Sequence, residues 1–214
     1  MIRVLIGDDH RIVREGLKQV LADAPELRVV AEAQTGAEVL ERVEAAGPGG
    51  LDLVLLDVAM PGRDGLDVLQ ALRRSHPALP VLMLSTYPER QYAVRCIRLG
   101  AAGYLSKGAD PDDMIAAVRK AAAGGVWVSP ATAEALAGAV GGARAGLGTE
   151  ALSHREDQVF RLLIEGRTVS EIGARLGLAP NTVSTYRARI LEKTGTRNDV
   201  ELALYAERHA RRAG

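Results

Sequence analysis

The run Leu53-Val54-Leu55-Leu56 is apolar at every position. A strand made from it has no face to offer to water and must be covered on both sides. Short apolar runs recur at 2–6, 28–33, 51–56, 81–84 and 103–105, with helical patterns between them. Val13, Leu17, Val20 and Leu21 fall at helical spacing, as do Val39, Leu40 and Val43, and then Leu66, Leu69 and Leu72. Asp110-Pro111 supplies an N-cap and a first-turn proline ahead of Met114 and Val118. Five strands alternating with five helices over residues 1–125 predict an α/β domain with a doubly wound, five-stranded parallel sheet.

In open sheets of this kind, ligands bind beyond the carboxyl ends of the strands. Asp8 and Asp9 follow the first run, Asp57 ends the third, Ser85 ends the fourth and Lys107 follows the fifth. Three carboxylates, a hydroxyl and an ammonium therefore converge on one edge. Taken singly, each has a plainer reading: an Asp as a cap or turn former, Ser85 as a helix start with Thr86, a lysine as solvated surface. Their joint placement at separate strand ends is what those readings leave unexplained, and it marks a candidate site. Carboxylates brought together repel unless a cation sits among them. With oxygen ligands and no His or Cys expected nearby, that cation is expected to be Mg²⁺.

Lysine plus arginine number 27 and so do the acids, which removes global basicity as a sign of nucleic-acid binding. The balance is nonetheless uneven, with 15 basic and 17 acidic residues over 1–128 against 11 and 9 over 149–214. One cysteine, Cys96, excludes an intramolecular disulfide. The apolar runs fall far short of the roughly 18 residues of a membrane span, and the first residues lack a secretory pattern, so a cytoplasmic chain with no membrane partner is expected. Residues 126–148 are rich in Gly and Ala and read as a flexible linker in which 131–139 can form a short helix.

Residues 149–214 read as a second, all-α domain of four helices. Ser153 with Glu156, and Thr168 with Glu171, have capping-box spacing; Gly177 stops the second helix and Pro180 can open the third. A short helix, a Gly-containing turn and a second helix is the helix-turn-helix layout. In the helix expected over 180–194, Val183, Tyr186 and Ile190 share one stripe. Asn181, Ser184, Thr185, Ala188 and Arg189 point the other way, with Arg187 at the margin. Small polar residues on an outward face can approach base edges, and Arg187, Arg189, Lys193 and Arg197 suit phosphates. On charge alone, with Glu192 among them, a solvated face is the plainer reading.

The stretches IGDDHRIVREGL, LLDVAMPGRDGLDVL, VLMLST and GAAGYLSKGAD resemble the receiver domain of bacterial two-component response regulators, over residues 1–125. The resemblance implies Asp57 as phospho-acceptor and Mg²⁺ held by Asp9, Asp57 and the backbone carbonyl of Ala59, with Asp8 acting mostly through water. It also implies Lys107 as the phosphate contact, and Ser85 and Tyr104 as the switch pair. From Leu152 onward the chain resembles the LuxR-type helix-turn-helix, and the two parts together resemble the NarL/FixJ class. That implies DNA contacts from Asn181, Thr182, Ser184, Thr185, Arg187, Ala188, Arg189 and Lys193. Departures from the usual pattern at Gly173, Ala179, Tyr186 and Thr194 predict softer packing around Gly173 and Thr194.

The implied protein is a DNA-binding transcriptional regulator and not an enzyme. Its expected partners are a sensor histidine kinase as phosphodonor, double-stranded DNA and, when phosphorylated, a second copy of itself. Two recognition helices would then enter major grooves about 34 Å apart. Arg11, Arg14 and Leu17 are expected to help select the kinase. A phosphatase of the haloacid-dehalogenase kind would need an acid two residues after Asp57, where Ala59 stands. A phosphorelay or protein-binding regulator without DNA readout stays open at this stage.

Overall fold

A computed structural model describes residues 1–86, 89–140, 152 and 154–211. The chain divides into two compact units, Met1–Val140 and Gly141–Gly214. In the first, β1 (Ile2–Gly7), β2 (Leu27–Ala33), β3 (Leu53–Asp57), β4 (Val81–Ser85) and β5 (Gly103–Ser106) form one parallel sheet in the order β2-β1-β3-β4-β5. Helices α1 (Arg11–Ala22), α2 (Gly36–Ala46), α3 (Gly65–Ser75), α4 (Glu89–Arg98) and α5 (Pro111–Ala122) connect and follow the strands. This is the doubly wound sheet expected from the alternation.

The continuous apolar strands are explained by two cores. Val54 and Leu56 of β3 join Leu5, Val81 and Met83 in a cluster closed by α2, α3 and α4 through Val39, Leu69 and Cys96. Leu53 and Leu55 point the other way, joining Val4, Ile6, Leu82 and Leu84 under α1 and α5, with Leu17, Leu21 and Val118. Successive residues alternate faces at period two, so a strand covered on both faces must be apolar throughout. Each such buried side chain contributes about 1.5–3 kcal/mol relative to exposure. Local signals set the helix starts: Thr35 accepts from the Glu38 amide, Asp64 from Asp67 and Asp110 from Asp112.

Within the segment expected as a linker, residues 126–140 carry structure. The Trp127 amide donates to the Ala102 carbonyl at 2.8 Å, and Trp127 bridges Gly103 at the sheet edge. Pro130–Val140 then form α6, which packs against α4 and buries Thr132. Gly138 lies within this helix, and residues 141–148, which hold the other glycines of the segment, lie outside the described residues.

The second unit holds α7 (His154–Ile164), α8 (Val169–Leu176), α9 (Pro180–Thr194) and α10 (Asp199–Arg211). Phe160, Ile172, Val183, Ile190 and Leu202 form its core. The Thr168–Glu171 capping box is present, Gly177 ends α8 in the left-handed conformation, and Pro180 opens α9. Ser153 lies outside the described residues. The packing at Gly173 is tight, contrary to the expected softening: a Cβ there would meet the Leu178 carbonyl oxygen at 2.7 Å. Thr194 turns its hydroxyl back onto the Ile190 carbonyl at 2.7 Å. Among the described residues, no helix is long and apolar enough to cross a membrane.

Candidate functional site

The order β2-β1-β3 reverses the direction of winding between β1 and β3, and an open sheet leaves a crevice at such a switch point. Asp8 and Asp9 follow β1, and Asp57 closes β3. Their carboxylate oxygens lie, with a ring nitrogen of His10, within 4.8 Å of one another. Asp8 and Asp57 are buried and Asp9 is half-exposed.

Lys107 enters from the end of β5, its amide held by the Ser85 carbonyl at 2.8 Å. Its Nζ lies 2.7 Å from Asp8 Oδ2 and 2.8 Å from Asp57 Oδ2. The other Asp57 oxygen accepts from the Ala59 amide at 3.1 Å. Burial, opposed by the charge and hydrogen bond of Lys107, pushes the Asp57 carboxyl up to about 6. Burial also works against the Lys107 ammonium, but Asp57 and Asp8 more than offset it, and its pKa stands above the ordinary lysine value.

Three carboxylates face one ammonium here, so ionised oxygen donors outnumber the cation that serves them. That donor set fits a hard divalent ion such as Mg²⁺. One expectation needs correction: His10 is nearby, with Nδ1 2.9 Å from Asp9 Oδ1 and 3.3 Å from Asp8 Oδ1. It stands at the N-cap position of α1, and its backbone amide donates to Asp8 Oδ1 at 2.8 Å. The signal was its adjacency to the acidic pair.

Ser85, at the end of β4, is fully buried. Tyr104 pairs with Met83 across the sheet and is also fully buried, in the cluster with Met60, Tyr92 and Cys96. β5 is an edge strand, and Tyr104 turns from it into the core. Gly65 opens α3 directly against the acid, since a Cβ there would fall on the Asp57 carbonyl oxygen.

Arg14 departs from expectation. It is buried on the inward face of α1, donating to the Asp8 carbonyl at 2.8 Å and to Glu32 at 3.0 Å, and Leu17 is buried beside it. Of the three residues expected to face the kinase, Arg11 alone is exposed. Arg14 stands three and seven positions before Leu17 and Leu21, on the buried face of α1, and its acidic partner Glu32 comes from β2.

On α9, Val183 and Ile190 are buried and Tyr186 is half-buried, while Asn181, Thr182, Ser184, Thr185, Ala188 and Arg189 are exposed. The Thr185 hydroxyl donates to the Asn181 carbonyl at 3.0 Å, which commits its one proton to the helix. Two of the expected phosphate-binding cations are already paired: Arg187 Nε lies 2.8 Å from Asp199 Oδ1, and Lys193 Nζ lies 2.6 Å from the buried Glu156.

The model of the response regulator receiver domain matches residues 4–119, and that of the bacterial regulatory proteins of the luxR family matches residues 150–206. The response regulator GacA of Pseudomonas viridiflava is 41% identical over 210 residues, 98% of this chain and 97% of GacA. The response regulator UvrY of Escherichia coli K12 is 35% identical, over 98% of this chain and 95% of UvrY. Among solved structures, RcsB from Salmonella enterica serovar Typhimurium, bound to promoter rprA in the presence of the phosphomimetic BeF3−, is similar with a TM-score of 0.59 and 25% identity. That similarity covers 96% of this chain and 98% of RcsB.

Proposed function

Because this chain belongs to the response regulators of the NarL/FixJ class, which join a receiver domain to a LuxR-type helix-turn-helix domain, we propose that it is switched by phosphorylation of Asp57 and answers by binding an operator as a dimer. The observation that carries this reading is one carboxyl, Asp57, buried at the β1/β3 switch point with a lysine on one oxygen and a backbone amide on the other.

A phosphohistidine on a sensor histidine kinase is the donor. Its P–N bond breaks, a P–O bond forms to an Asp57 oxygen, and the leaving imidazole nitrogen takes up a proton. With its carboxyl near 6, Asp57 is mainly ionised at neutral pH and attacks without a general base. Phosphoryl transfer has a loose, charge-spread transition state, so positioning and electrostatics dominate. The Ala59 amide fixes one Asp57 oxygen, and Lys107 moves from the two carboxylates toward the incoming phosphoryl oxygens. Asp9, Asp57 and the Ala59 carbonyl would hold Mg²⁺, with Asp8 through water, and the ion would neutralise charge on the transferred group.

The acyl phosphate brings roughly two negative charges and new acceptor oxygens. Ser85 turns its hydroxyl toward them, and the Tyr104 ring, inside the core beneath α4, is the element whose position this movement biases. That change at the α4 and β5 surface is the signal for dimerisation. In the output domain, Ser184 and Thr185 read base edges while the basic residues around α9 meet phosphates. The RcsB complex with promoter rprA supports DNA as the partner.

The test combines acetyl phosphate with Mg²⁺. The full-length protein is expected to gain one phosphate by intact mass and to retain genomic DNA fragments more strongly. Asp57→Ala abolishes both changes. Phosphate persisting on the variant overturns the assignment of the acceptor, and DNA retained in neither state favours a regulator that binds only proteins.

A further inference from the structure

The Arg187–Asp199 pair leaves free what the Arg3–Asp52 pair spends. Arg3 gives Asp52 both its Nε and Nη2, at 2.8 and 2.9 Å, and so spends its fork on the acid. Arg187 gives Asp199 only Nε, at 2.8 Å. Among the described residues its two terminal amino groups make no hydrogen bond, and the side chain is 35% exposed. A guanidinium held at Nε is fixed in plane, with its Nη pair available for bidentate recognition of a phosphate.

Asp199 has no competing duty at its own helix end. Asn198 caps α10, accepting from the Glu201 amide at 2.9 Å, so the Asp199 carboxylate is not needed to start the helix. Its oxygen reaches across from α10 to α9, twelve positions back along the chain. Lys193, by contrast, places its Nζ, which carries all three of its donors, 2.6 Å from a buried acid, Glu156.

We propose that Asp199 is a positioning residue for DNA recognition: it aims the free Nη pair of Arg187 at one backbone phosphate and thereby fixes the register of α9 on the duplex. This rests on the DNA-binding reading above. An acid beside a phosphate contact also repels the duplex, so Asp199 lowers affinity for unselected sequences while it orders the contact at the selected one. Its signature is therefore discrimination and not affinity alone.

The experiment uses the full-length protein with acetyl phosphate and Mg²⁺, the duplex it enriches from a random pool, and a shuffled duplex of the same composition. Asp199→Ala is expected to reduce the affinity ratio of enriched to shuffled duplex about fivefold, in the range of a coupled pair, with unchanged or stronger binding to the shuffled one. Asp199→Asn, which keeps an acceptor for Nε, is expected to restore most of the ratio. In the Arg187→Ala background, Asp199→Ala is expected to have no further effect on it. A structural role would instead lower the melting temperature and both affinities together in Asp199→Ala and Asp199→Asn alike, and that result overturns the proposal. So does an unchanged ratio in Asp199→Ala. If the wild-type protein enriches no duplex at all, the DNA-binding reading itself falls.

Discussion

Lys107 Nζ stands 2.8 Å from Asp57 Oδ2, and its other neighbour across the site is Asp8 Oδ2. One ammonium thus separates two buried carboxylates. In Lys107→Ala the acids face each other with no cation between them, and losing one partner of a buried pair costs about 3–5 kcal/mol. In EDTA at pH 8 the variant is expected to lose stability on that scale by urea denaturation. At pH 5, where Asp57 is protonated, the loss is expected to be smaller. Equal losses at both pH values would contradict the placement of the charge.

Asp57 ionises at about 6, above its ordinary 3.8, because burial favours the neutral acid. Between those values the folded protein holds more protons than the unfolded chain, so stability from this group is full below pH 4 and is lost as pH rises through 6. Asn cannot ionise. Asp57→Asn in EDTA is therefore expected to be more stable than wild type at pH 7.5, by up to about 3 kcal/mol for a shift of roughly two units. The gap should close toward pH 4 in thermal melts, and a gap that widens there would refute the buried-acid account.

Gly65 and Gly16 are both helical glycines, yet opposite outcomes are expected. A Cβ at 65 falls on the Asp57 carbonyl, whereas one at 16 meets nothing within 4 Å. Gly65→Ala is expected to lose about 1–3 kcal/mol through overpacking and to weaken Mg²⁺ binding by shifting the acid. Gly16→Ala, in the interior of α1, is expected to gain up to about 1 kcal/mol. Urea midpoints and calorimetric Mg²⁺ titration read both.

Thr168 closes a complete capping box with Glu171 at the start of α8. Thr168→Ala is expected to cost about 1 kcal/mol in urea denaturation. The receiver unit, which does not contain it, should keep its capacity to be phosphorylated.

On the proposed reading, Thr185 and Arg189 are expected to separate the two kinds of DNA contact. The Thr185 hydroxyl already commits its proton to the Asn181 carbonyl, so Thr185→Val, which keeps the branched shape and the methyl, is expected to preserve sequence preference while Thr185→Ala alters it. Arg189→Ala is expected to weaken binding to all duplexes and to reduce the salt slope by about 1. Equal behaviour of the Thr185→Ala and Arg189→Ala variants would contradict the assignment of the face.

Much of this molecule was legible along the chain. The strands of the sheet end where expected at Asp57 and Ser85, and α9 spans Pro180–Thr194, because apolar spacing, caps and turn residues act within a few positions. Arg14 was misread for the opposite reason. Its spacing to Leu17 and Leu21 puts it on the buried face of α1, but a guanidinium is tolerable there only because Glu32, brought alongside by β2, and the Asp8 carbonyl accept from it. The α6 helix was anticipated from its alanines, but its seat against α4 was not, since a low-contrast sequence does not specify which surface covers it.

The sequence by itself determined the periodicity, the number of strands and helices, and the set of chemical groups that arrive at the strand ends. Tertiary structure decided which of those groups are already engaged. Lys107 reaches Asp57 across 50 positions, Lys193 reaches Glu156 across 37, and Arg187 reaches Asp199 across 12. Backbone preference and amphipathic spacing are local properties that a reader can follow along the chain. An ion pair depends on distance and desolvation at one point in space, and those quantities exist only once the elements that carry the charges have packed.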